Sequence, residues 1–480
     1  MLLAALVAGA AGYAHAQEQT MVFSPTDPGI TRSITNWGLD TCWINYDNMQ
    51  RGLIYMGTNN VTLVRVGFFV DAPLTNNDVT PSDKSTMQTM ASYAAMATAA
   101  TKWDMNLASS VNSWYNSGAN AIYPDRWAAA IEACQSYYNR GIWSVEGFNE
   151  PDLTSNNEGS PTDLYNVFGY LQSSGQFSGT YMAGGSTLND DVATSWFNTI
   201  SGRATMGSTH CLAGSAANYV SFMQTVSSAG KLPYNPEMHN VCEAMMGANY
   251  GMYAGIWWGT AELARGNFVK ACQGSRLAYS EHQGNWTAAS VYRGTDGSVQ
   301  AFVGASERMA VTTTYRFVSK DRPLFFDGYG PRRTYAVTIP GGSGYQVNQP
   351  NAEKVVNITW GADAPPAING RYIIVNRNSQ LALEVPGSST GNGTLLDQNT
   401  YSGGTNQQWD INPIPSTWGG DYSYFSIKAA HDGLNADNLN YSYASGNLIG
   451  QWNDGTNVVG QWYFQYAGNG YFKIRNKWSN

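Results

Sequence analysis

The feature that most constrains the fold is a regular alternation of strand-like and helix-like segments from residue 34 to about residue 275. The run "VTLVRVGFFV" precedes the Ala- and Met-rich "TMQTMASYAAMATAATKW". "MNLASS" precedes "PDRWAAAIEACQSYYNRG", which starts with Pro and ends with Gly as helices do. Eight such units over roughly 240 residues predict an α/β fold, a (β/α)₈ TIM barrel over residues 30–275. A doubly wound sheet would also alternate, but no Gly-rich phosphate loop follows the first strand.

A different pattern begins at residue 276. Short runs such as "SVQAFVGASE" and "RTYAVTIP" are separated by Gly, Asp and Pro turns, which predicts an antiparallel β-sandwich over 276–362. The segment "ADAPPAING" predicts a linker over 363–369. Within 370–480, "GRYIIVNRNSQLALEV…TNQQWDI" is echoed by "FSIKAAHDGLNADN…VVGQWYF", with Trp409 and Trp462 at matching ends. "YFKIRNKWSN" resembles the start of a third copy, so we expect a truncated repeat set.

The composition of the chain argues against a nucleic-acid partner and favours a sugar-binding protein. The net charge of −8 and the pI near 5.1 argue against a nucleic-acid partner, whose phosphates need a basic surface. Charged residues make up 12% of the chain, well below the usual share of about 25%. The 16 Trp and 30 Tyr residues, together with many amides and hydroxyls, are typical of secreted proteins that bind sugars. Five widely spaced cysteines fit neither a disulfide framework nor a zinc site; buried thiols are favoured, although one or two bridges remain open.

The first residues indicate export. "MLLAALVAGAAGYAHAQEQT" is an apolar run of signal-peptide length that ends in a small-x-small cleavage pattern, so residues 1–16 are predicted to be removed and the protein secreted. This run is too short to span a membrane, and no later segment is long and apolar enough to do so.

Two acids stand at predicted strand ends, where a barrel of this type carries its active site. By strand count, Glu150 in "SVEGFNEPD" ends the fourth strand and Glu243 in "EMHNVCEAM" ends the seventh. Alternation places Glu237 and Glu243 on one face, with Glu243 nearer the mouth and Glu237 toward the bottom of the barrel. Carboxyls on facing strands could approach to about 5–5.5 Å, the separation that retaining glycoside hydrolysis requires. Glu281 replaces Glu243 in this role if the strand count is off by one.

Here the chain resembles clan A of the glycoside hydrolases, and its families 30 and 39 when the β-sandwich is included. "GFNEP" matches the Asn-Glu-Pro motif of the clan, which implies that Glu150 is the acid/base and that Asn149 holds the sugar 2-hydroxyl. The nucleophile position of the clan falls on Glu243. The resemblance also implies that substrate-binding residues are Arg65 in "LVRVGF", His210 in "STHCLAG", and Trp257 or Trp258 in "GIWWG". Adjacent strand residues point to opposite sides, so only one of the two tryptophans can face the site.

The C-terminal repeats resemble a ricin-type β-trefoil, the fold of a carbohydrate-binding module. The Gln-x-Trp mark of that fold is present at Gln407–Trp409, whereas the second copy reads Gly460-Gln461-Trp462 and lacks the first Gln. The resemblance implies sugar contacts from polar and aromatic residues between these marks, in two groups: Asp437, Gln451 and Trp452, and Glu384, Gln398 and Tyr401.

Together these features predict a secreted, retaining endo-β-glycanase that acts on a polysaccharide, with β-glucan favoured. No metal or organic cofactor is expected, the expected partner is the polysaccharide, and no nucleic acid or membrane partner is predicted. Two alternatives remain open: a non-catalytic carbohydrate-binding protein on a glycosidase scaffold, and a transglycosylase. Neither the linkage of the substrate nor the oligomeric state follows from the sequence.

Overall fold

The computed structural model describes residues 17–43, 45–306, 308–341, 352–418 and 420–480. The predicted signal peptide, residues 1–16, lies outside these ranges. Within them, no helix combines the length and the apolar character needed to cross a membrane. The five cysteines all fall in the described ranges as free thiols, and four of them are buried.

In the described chain, eight parallel strands close into a barrel, which confirms the predicted fold class. Successive barrel strands are hydrogen-bonded neighbours, and the last pairs with the first. The barrel strands are β2 (Asn36–Asp40), β3 (Leu63–Phe68), β4 (Lys102–Leu107), β7 (Ser144–Val145), β8 (Tyr181–Asn189), β9 (Met206–Ala213), β10 (Leu232–Met238) and β11 (Ala254–Trp257). A small hairpin of β5 (Asn116–Gly118) and β6 (Ala121–Ile122) lies in the connection after β4.

One α-helix follows each barrel strand in the part of the chain that the structure describes. Local sequence signals define two of the helix starts. Thr80 with Asp83 and Ser160 with Asp163 form capping boxes, and in each a Pro occupies the first helical position. The helices are α1 (Tyr46–Met56), α2 (Pro81–Ala94), α3 (Pro124–Tyr138), α4 (Pro161–Ser174), α5 (Asp190–Ile200), α6 (Ala216–Ser228), α7 (Val241–Asn249) and α8 (Leu263–Ala271).

The inside of the barrel changes from apolar to charged along its axis. At the end where the strands begin, side chains such as Leu63, Ala183, Met206 and Tyr234 form a closed apolar cluster. Alternate residues of a strand face the same side, so Arg65 lies two positions above Leu63 on β3 and points into the same space. The C-terminal ends of the strands therefore surround a polar and charged interior.

A β-sandwich packs beside the barrel, and the first strand of the described chain is part of it. One sheet joins β1 (Gln17–Phe23), β15 (Thr313–Ser319) and β18 (Thr334–Ile339), with β1 parallel to β15. The other contains β12 (Ser275–His282), β13 (Thr287–Arg293), β14 (Val299–Ala305), β19 (Ala352–Thr359), β16 (Leu324–Phe326) and β17 (Tyr329–Arg332). The prediction confined the sandwich to 276–362. It missed β1 because a pairing between such distant segments leaves no local pattern.

The C-terminal region is a set of short strands around a separate apolar core. Trp409 and Trp462 occupy equivalent places: both are buried, and their indole N–H groups donate to the carbonyls of Leu383 (3.0 Å) and Ala436 (2.9 Å). The strands are β20 (Gly370–Tyr372), β21 (Ala382–Glu384), β22 (Asp397–Asn399), β23 (Trp409–Pro413), β25 (Phe425–Ala429), β26 (Asn435–Asn438), β27 (Ile449–Trp452), β28 (Gln461–Gly468) and β29 (Tyr471–Asn476). The intervening β24 (Gly420–Asp421) pairs instead with β19 of the sandwich.

We expect Trp409→Ala to destabilise the C-terminal region by about 3–5 kcal/mol, because the substitution removes a fully buried indole and its hydrogen bond. Calorimetric unfolding of the full chain measures the effect. Trp418→Ala is the matched control, since Trp418 is 39% exposed, and it should leave the transition almost unchanged. Equal shifts for the two variants would contradict the assignment of Trp409 to the core.

Candidate active site

Arg65, on β3, is the centre of a charged cluster in the polar half of the barrel. Its side chain is fully buried, and it contacts carboxylates from three other strands. Its Nε lies 2.7 Å from Glu146 Oε1, and its Nη1 lies 2.8 Å from Glu237 Oε2 and 3.4 Å from Asp40 Oδ2. A buried guanidinium without such partners would cost several kcal/mol. The cluster therefore binds four strands together electrostatically.

The chain reaches the barrel mouth after β7 through a sharp turn. Gly147 has a φ of +78°, and a Cβ there would lie 2.6 Å from Leu164 Cδ1, so this position requires glycine. Glu150 has a φ of +57°, a conformation that costs a residue with a side chain on the order of 1–3 kcal/mol. Its N–H donates to the Ser186 carbonyl at 2.9 Å, which holds the turn against β8. Backbone strain of this kind is concentrated at functional sites.

Glu150 and Glu237 meet at the mouth with His210 between them. One oxygen of each carboxylate and one ring nitrogen of His210 lie within 4.8 Å of one another. His210 Nδ1 is 3.1 Å from Glu150 Oε1 and 3.4 Å from Glu237 Oε2. An oxygen of Glu150 within 4.8 Å of an oxygen of Glu237 fits the carboxyl separation of roughly 5–5.5 Å in retaining glycosidases better than the roughly 6.5–9.5 Å of inverting ones.

The surroundings of Glu237 and His210 determine the charges of these two side chains. Burial disfavours the ionised form of Glu237, but the charges of His210 and Arg65 and a hydrogen bond from His239 hold the pKa of that carboxyl well below its usual range. Burial also opposes the charge of His210, yet the Glu237 carboxylate and hydrogen bonds to Glu146 and Glu150 raise the pKa of this His to about 10. At neutral pH the site therefore holds an ionised Glu237 beside a protonated His210.

Glu146 is a buried carboxylate that the sequence analysis did not identify. It contacts Arg65, and it accepts a hydrogen bond from Ser186 Oγ at 2.6 Å. Burial disfavours its charge, but Arg65 and hydrogen bonds from His210 and Asp104 lower the pKa of Glu146 to about 2. Burial and the neighbouring Glu146 raise the pKa of Asp104 well above its usual range, which favours the neutral acid form of Asp104. No periodicity marks these residues, since their roles come from neighbours on other strands.

Asn149 lies next to Glu150 with its amide oriented by two donors. Its Oδ1 accepts hydrogen bonds from Arg65 Nη2 at 3.0 Å and from Asn106 Nδ2 at 2.9 Å. The Asn149 backbone N–H donates to Glu158 Oε2 at 2.5 Å. The amide NH₂ group is thereby turned toward the mouth, where it can donate to a ligand hydroxyl.

Glu243, the predicted nucleophile, lies in α7 and not at a strand end, so that placement is wrong. β10 ends at Met238, and Asn240 caps α7 by accepting the Glu243 N–H at 3.1 Å. The buried Glu243 carboxylate accepts in return from Asn240 Nδ2 at 2.6 Å and from the His239 N–H at 2.8 Å. An N-cap residue followed three positions later by Glu is a helix-start signal, which the prediction interpreted as strand alternation.

Glu237 was expected toward the barrel bottom, and this placement is also wrong. β10 begins at Leu232, so Glu237 comes five positions later and reaches the level of Arg65 and His210. Glu281, the alternative nucleophile, lies on β12 of the sandwich, where Tyr250 and Gln283 each donate to it at 2.6 Å. Glu281 is thus outside the barrel mouth.

The two adjacent tryptophans at the end of β11 have different environments. Trp257 is fully buried and stacks on Trp37 at 5.7 Å between ring centroids, outside the barrel interior, so its predicted contact with substrate does not fit its position. Trp258 is half-buried, with its ring 5.3 Å from that of His239. His239 Nε2 lies 3.6 Å from Glu237 Oε1, so Trp258 borders the acidic pair through this His.

In the second trefoil copy, the structure separates the predicted sugar-binding residues by exposure. Trp452 is 40% exposed. Asp437 is 5% exposed, and burial together with the nearby Asp454 raises its pKa to about 6. Gln451 is fully buried, and its Nε2 donates to the carbonyls of Ser389 and Gly391, so it serves the fold and does not reach the surface.

The first trefoil copy shows a similar division. Tyr401 is 43% exposed, and Gln398 is exposed with its Oε1 accepting from Ser379 Oγ. Glu384 is 8% exposed and accepts from Gln407 Nε2 at 2.8 Å and from Asn399 Nδ2 at 3.3 Å. Gly460 replaces Gln407 in the second copy, so Asp437 does not receive the corresponding hydrogen bond.

Glu150, His210 and Glu237 also offer three ligand atoms at a spacing that a metal ion could use. A His ligand must be neutral to bind a metal, so an ion there would have to displace the proton that the neighbouring carboxylates favour on His210. Without such an ion, the three groups form an acid–His–acid set in which His210 lies between the carboxylates.

We expect Glu146→Gln to lower the free energy of unfolding by about 3 kcal/mol at neutral pH, because it removes one of the three carboxylates that balance the buried charge of Arg65 and leaves only Asp40 and Glu237 to do so. A carboxyl whose folded pKa is lowered from 4.5 to about 2 stabilises the protein above about pH 4.5, and this contribution is lost as the pH falls toward 2. The difference between wild type and variant, measured by denaturant unfolding, should therefore shrink between about pH 5 and pH 2. Glu18→Gln, in an exposed pair with Arg316, should change little; a constant deficit for Glu146→Gln would contradict the charge argument.

Comparison with known proteins identifies the C-terminal segment. It matches the family model described as "Ricin-type beta-trefoil lectin domain-like" over residues 357–420 and 405–480. No curated protein matches the chain.

Similar solved structures include a GH30 endoxylanase from Clostridium papyrosolvens C71, with 13% identity over 72% of this chain and 100% of that chain and a TM-score of 0.44. The catalytic domain of GH30 xylanase C from Talaromyces cellulolyticus has 12% identity over 72% and 100%, with a TM-score of 0.43. The designed three-fold symmetric protein ThreeFoil has 32% identity over 23% and 75%, with a TM-score of 0.21. The described chain thus combines a closed β/α barrel with a C-terminal segment that matches the ricin-type trefoil family.

Proposed function

We propose that this protein is a retaining glycoside hydrolase in which Glu237 is the nucleophile and Glu150 the general acid/base. The observation that carries the proposal is the approach of these two carboxylates to within 4.8 Å at the C-terminal end of a closed barrel. Their surroundings differ, as two such roles require: Glu237 is paired with Arg65 at 2.8 Å, whereas Glu150 lies on a strained turn at the mouth.

The reaction takes two displacements. In the first, the Glu237 carboxylate forms a bond to the anomeric carbon while the bond to the leaving oxygen breaks and Glu150 gives that oxygen its proton. In the second, Glu150 takes a proton from water, and the water oxygen displaces Glu237 from the same carbon. Glu237 returns to the carboxylate and Glu150 to the acid, and two inversions retain the configuration of the sugar.

His210 and Asn149 assist at defined atoms. His210 Nδ1 is within hydrogen-bond reach of Glu150 and near Glu237, so its proton can follow the negative charge from Glu237 to Glu150 as the glycosyl-enzyme forms. Asn149, held by Arg65 and Asn106, presents its NH₂ group to a sugar hydroxyl. Hydrogen bonds that strengthen as positive charge develops on the sugar supply part of the rate enhancement.

The trefoil match supports a polysaccharide substrate, to which the C-terminal region would tether the barrel. We favour endo action on a β-glucan, and export of the protein through the apolar segment at residues 1–16. The shared positions of Trp409 and Trp462 support a module built from repeats, but the polysaccharide that the module binds is chosen by surface residues such as Trp452 and Tyr401.

We expect Glu237→Gln and Glu150→Gln each to lower kcat by at least about 10²–10⁴-fold, because each removes a group that reacts in the transition state. Release of reducing ends from a panel of glucans, xylans and galactans measures turnover, and NMR of the first product establishes whether the anomer is retained. Azide should restore turnover of an activated substrate in both variants, with products of opposite anomeric configuration.

Glu243→Gln and Glu281→Gln are the matched controls, since both acids lie away from the pair. Both variants should keep activity within a few-fold of wild type after correction for folded protein. Loss of turnover in Glu243→Gln with wild-type turnover in Glu237→Gln would reverse the assignment. Binding without turnover across the whole panel would favour the non-catalytic alternative, and products longer than the substrate would favour a transglycosylase.

A further inference from the structure

A cleft of about 500 Å³ opens on the barrel mouth beside the acidic pair, a volume in the usual range for small-ligand sites. Its wall includes Trp43 after β2, Leu107 and Val111 at and after the end of β4, and Asn149 and Glu158 after β7. Asn149 also contacts Arg65, so the cleft adjoins the proposed catalytic centre at this residue.

The cleft combines an aromatic face with amide and hydroxyl groups. Trp43 is 50% exposed, although large aromatic side chains are usually covered in folded proteins. Asn156 and Asn157 also line the cleft, and the β5–β6 hairpin holds this loop, because Asn157 Oδ1 accepts the Asn120 N–H at 2.6 Å. A flat ring with polar edges matches this lining, since its C–H face can pack on the indole while its hydroxyls bind the amides.

The charge of the cleft restricts which rings fit. Among its described lining residues none is Lys, Arg or His, and Glu158 is the one ionisable group. The nearest cation, Arg65, is fully buried and already paired with carboxylates. A carboxylate on the ligand would lose hydration without gaining a counter-charge.

Glu158 adds a hydrogen-bonding group without adding a cation. It is 3% exposed, and its Oε2 accepts the Asn149 N–H at 2.5 Å. Burial raises the pKa of Glu158 well above its usual range, which favours the neutral acid. Glu158 thus tolerates a neutral hydroxyl and offers no attraction to an anion.

We propose that this cleft is the subsite for a neutral sugar unit next to the bond that is cleaved, with Trp43 as its stacking platform, and that it rejects uronic acid units. The proposal rests on the proposed function, which supplies the cleaved bond, but the binding of sugar in the cleft can be measured without turnover.

Binding is tested with full-length Glu150→Gln protein by calorimetry. The probes are neutral tetramers of β-1,4-glucose, β-1,3-glucose and β-1,4-xylose, and the two glucose tetramers with one C6 oxidised to a uronate. We expect at least one neutral tetramer to bind. If a glucose tetramer binds, its oxidised form should bind about 10-fold or more weakly, and if only the xylose tetramer binds, both oxidised glucose tetramers should bind about 10-fold or more weakly than it does. Added Trp43→Ala should weaken the binding of the neutral tetramer by about 10-fold. Added Trp360→Ala, which removes a 37% exposed Trp after β19, should have no effect.

A gain of function tests the charge argument. Ser110 is an exposed lining residue, so added Ser110→Arg should bring a cation into the cleft and raise the affinity for the oxidised tetramers toward that for the neutral ones. Equal binding of neutral and oxidised tetramers by the parent protein, no binding of any neutral tetramer, or no effect of Trp43→Ala would each overturn the subsite. Trp43-dependent binding in a protein that cleaves no glycan would overturn the proposed hydrolase and the place of the cleft next to a cleaved bond, and would keep only its selective binding of neutral sugars.

Discussion

The charge of Arg65 inside the barrel is the constraint on which the rest of the structure depends. A buried guanidinium is stable only with anionic partners, and here Asp40, Glu146 and Glu237 supply them from three different strands. These carboxylates are equally dependent on Arg65. The register in which the strands close into the barrel brings the four groups together, so the same contacts contribute to stability and to the geometry of the site.

The same cluster separates the roles of the two acids at the mouth. Glu237 contacts both Arg65 and His210 and is held ionised. Glu150 lies on a turn, where its own φ is +57°, and it contacts the cluster through His210. Two carboxyls a few ångströms apart would otherwise resist simultaneous ionisation. The cluster provides the difference in environment that acid/base chemistry with paired carboxyls needs.

The β-rich parts support the barrel through its outer helices. Glu353 of the sandwich accepts the Val241 N–H of α7 and pairs with Arg265 of α8, each at 2.8 Å. Asp421 of the C-terminal region accepts the Ala264 N–H at 2.6 Å, and Lys477 lies 3.1 Å from Glu262 at the start of α8. The helix α8, which follows the last barrel strand, thus contacts both the sandwich and the C-terminal region.

The sequence by itself determined the alternation of strands and helices, the repeat that carries Trp409 and Trp462, and the turn that presents Asn149 and Glu150, because each depends on neighbours within a few residues. It also contained the signal for the start of α7, in which Asn240 caps the helix and Glu243 follows three positions later, but the apparent strand alternation of this segment concealed it. Only the tertiary structure decided that Glu237 faces Glu150, that Glu146 holds Arg65, that Trp257 is core, and that β1 joins the sandwich. Those contacts join segments far apart in the chain, and their distances follow from strand register and barrel closure, which no local pattern encodes.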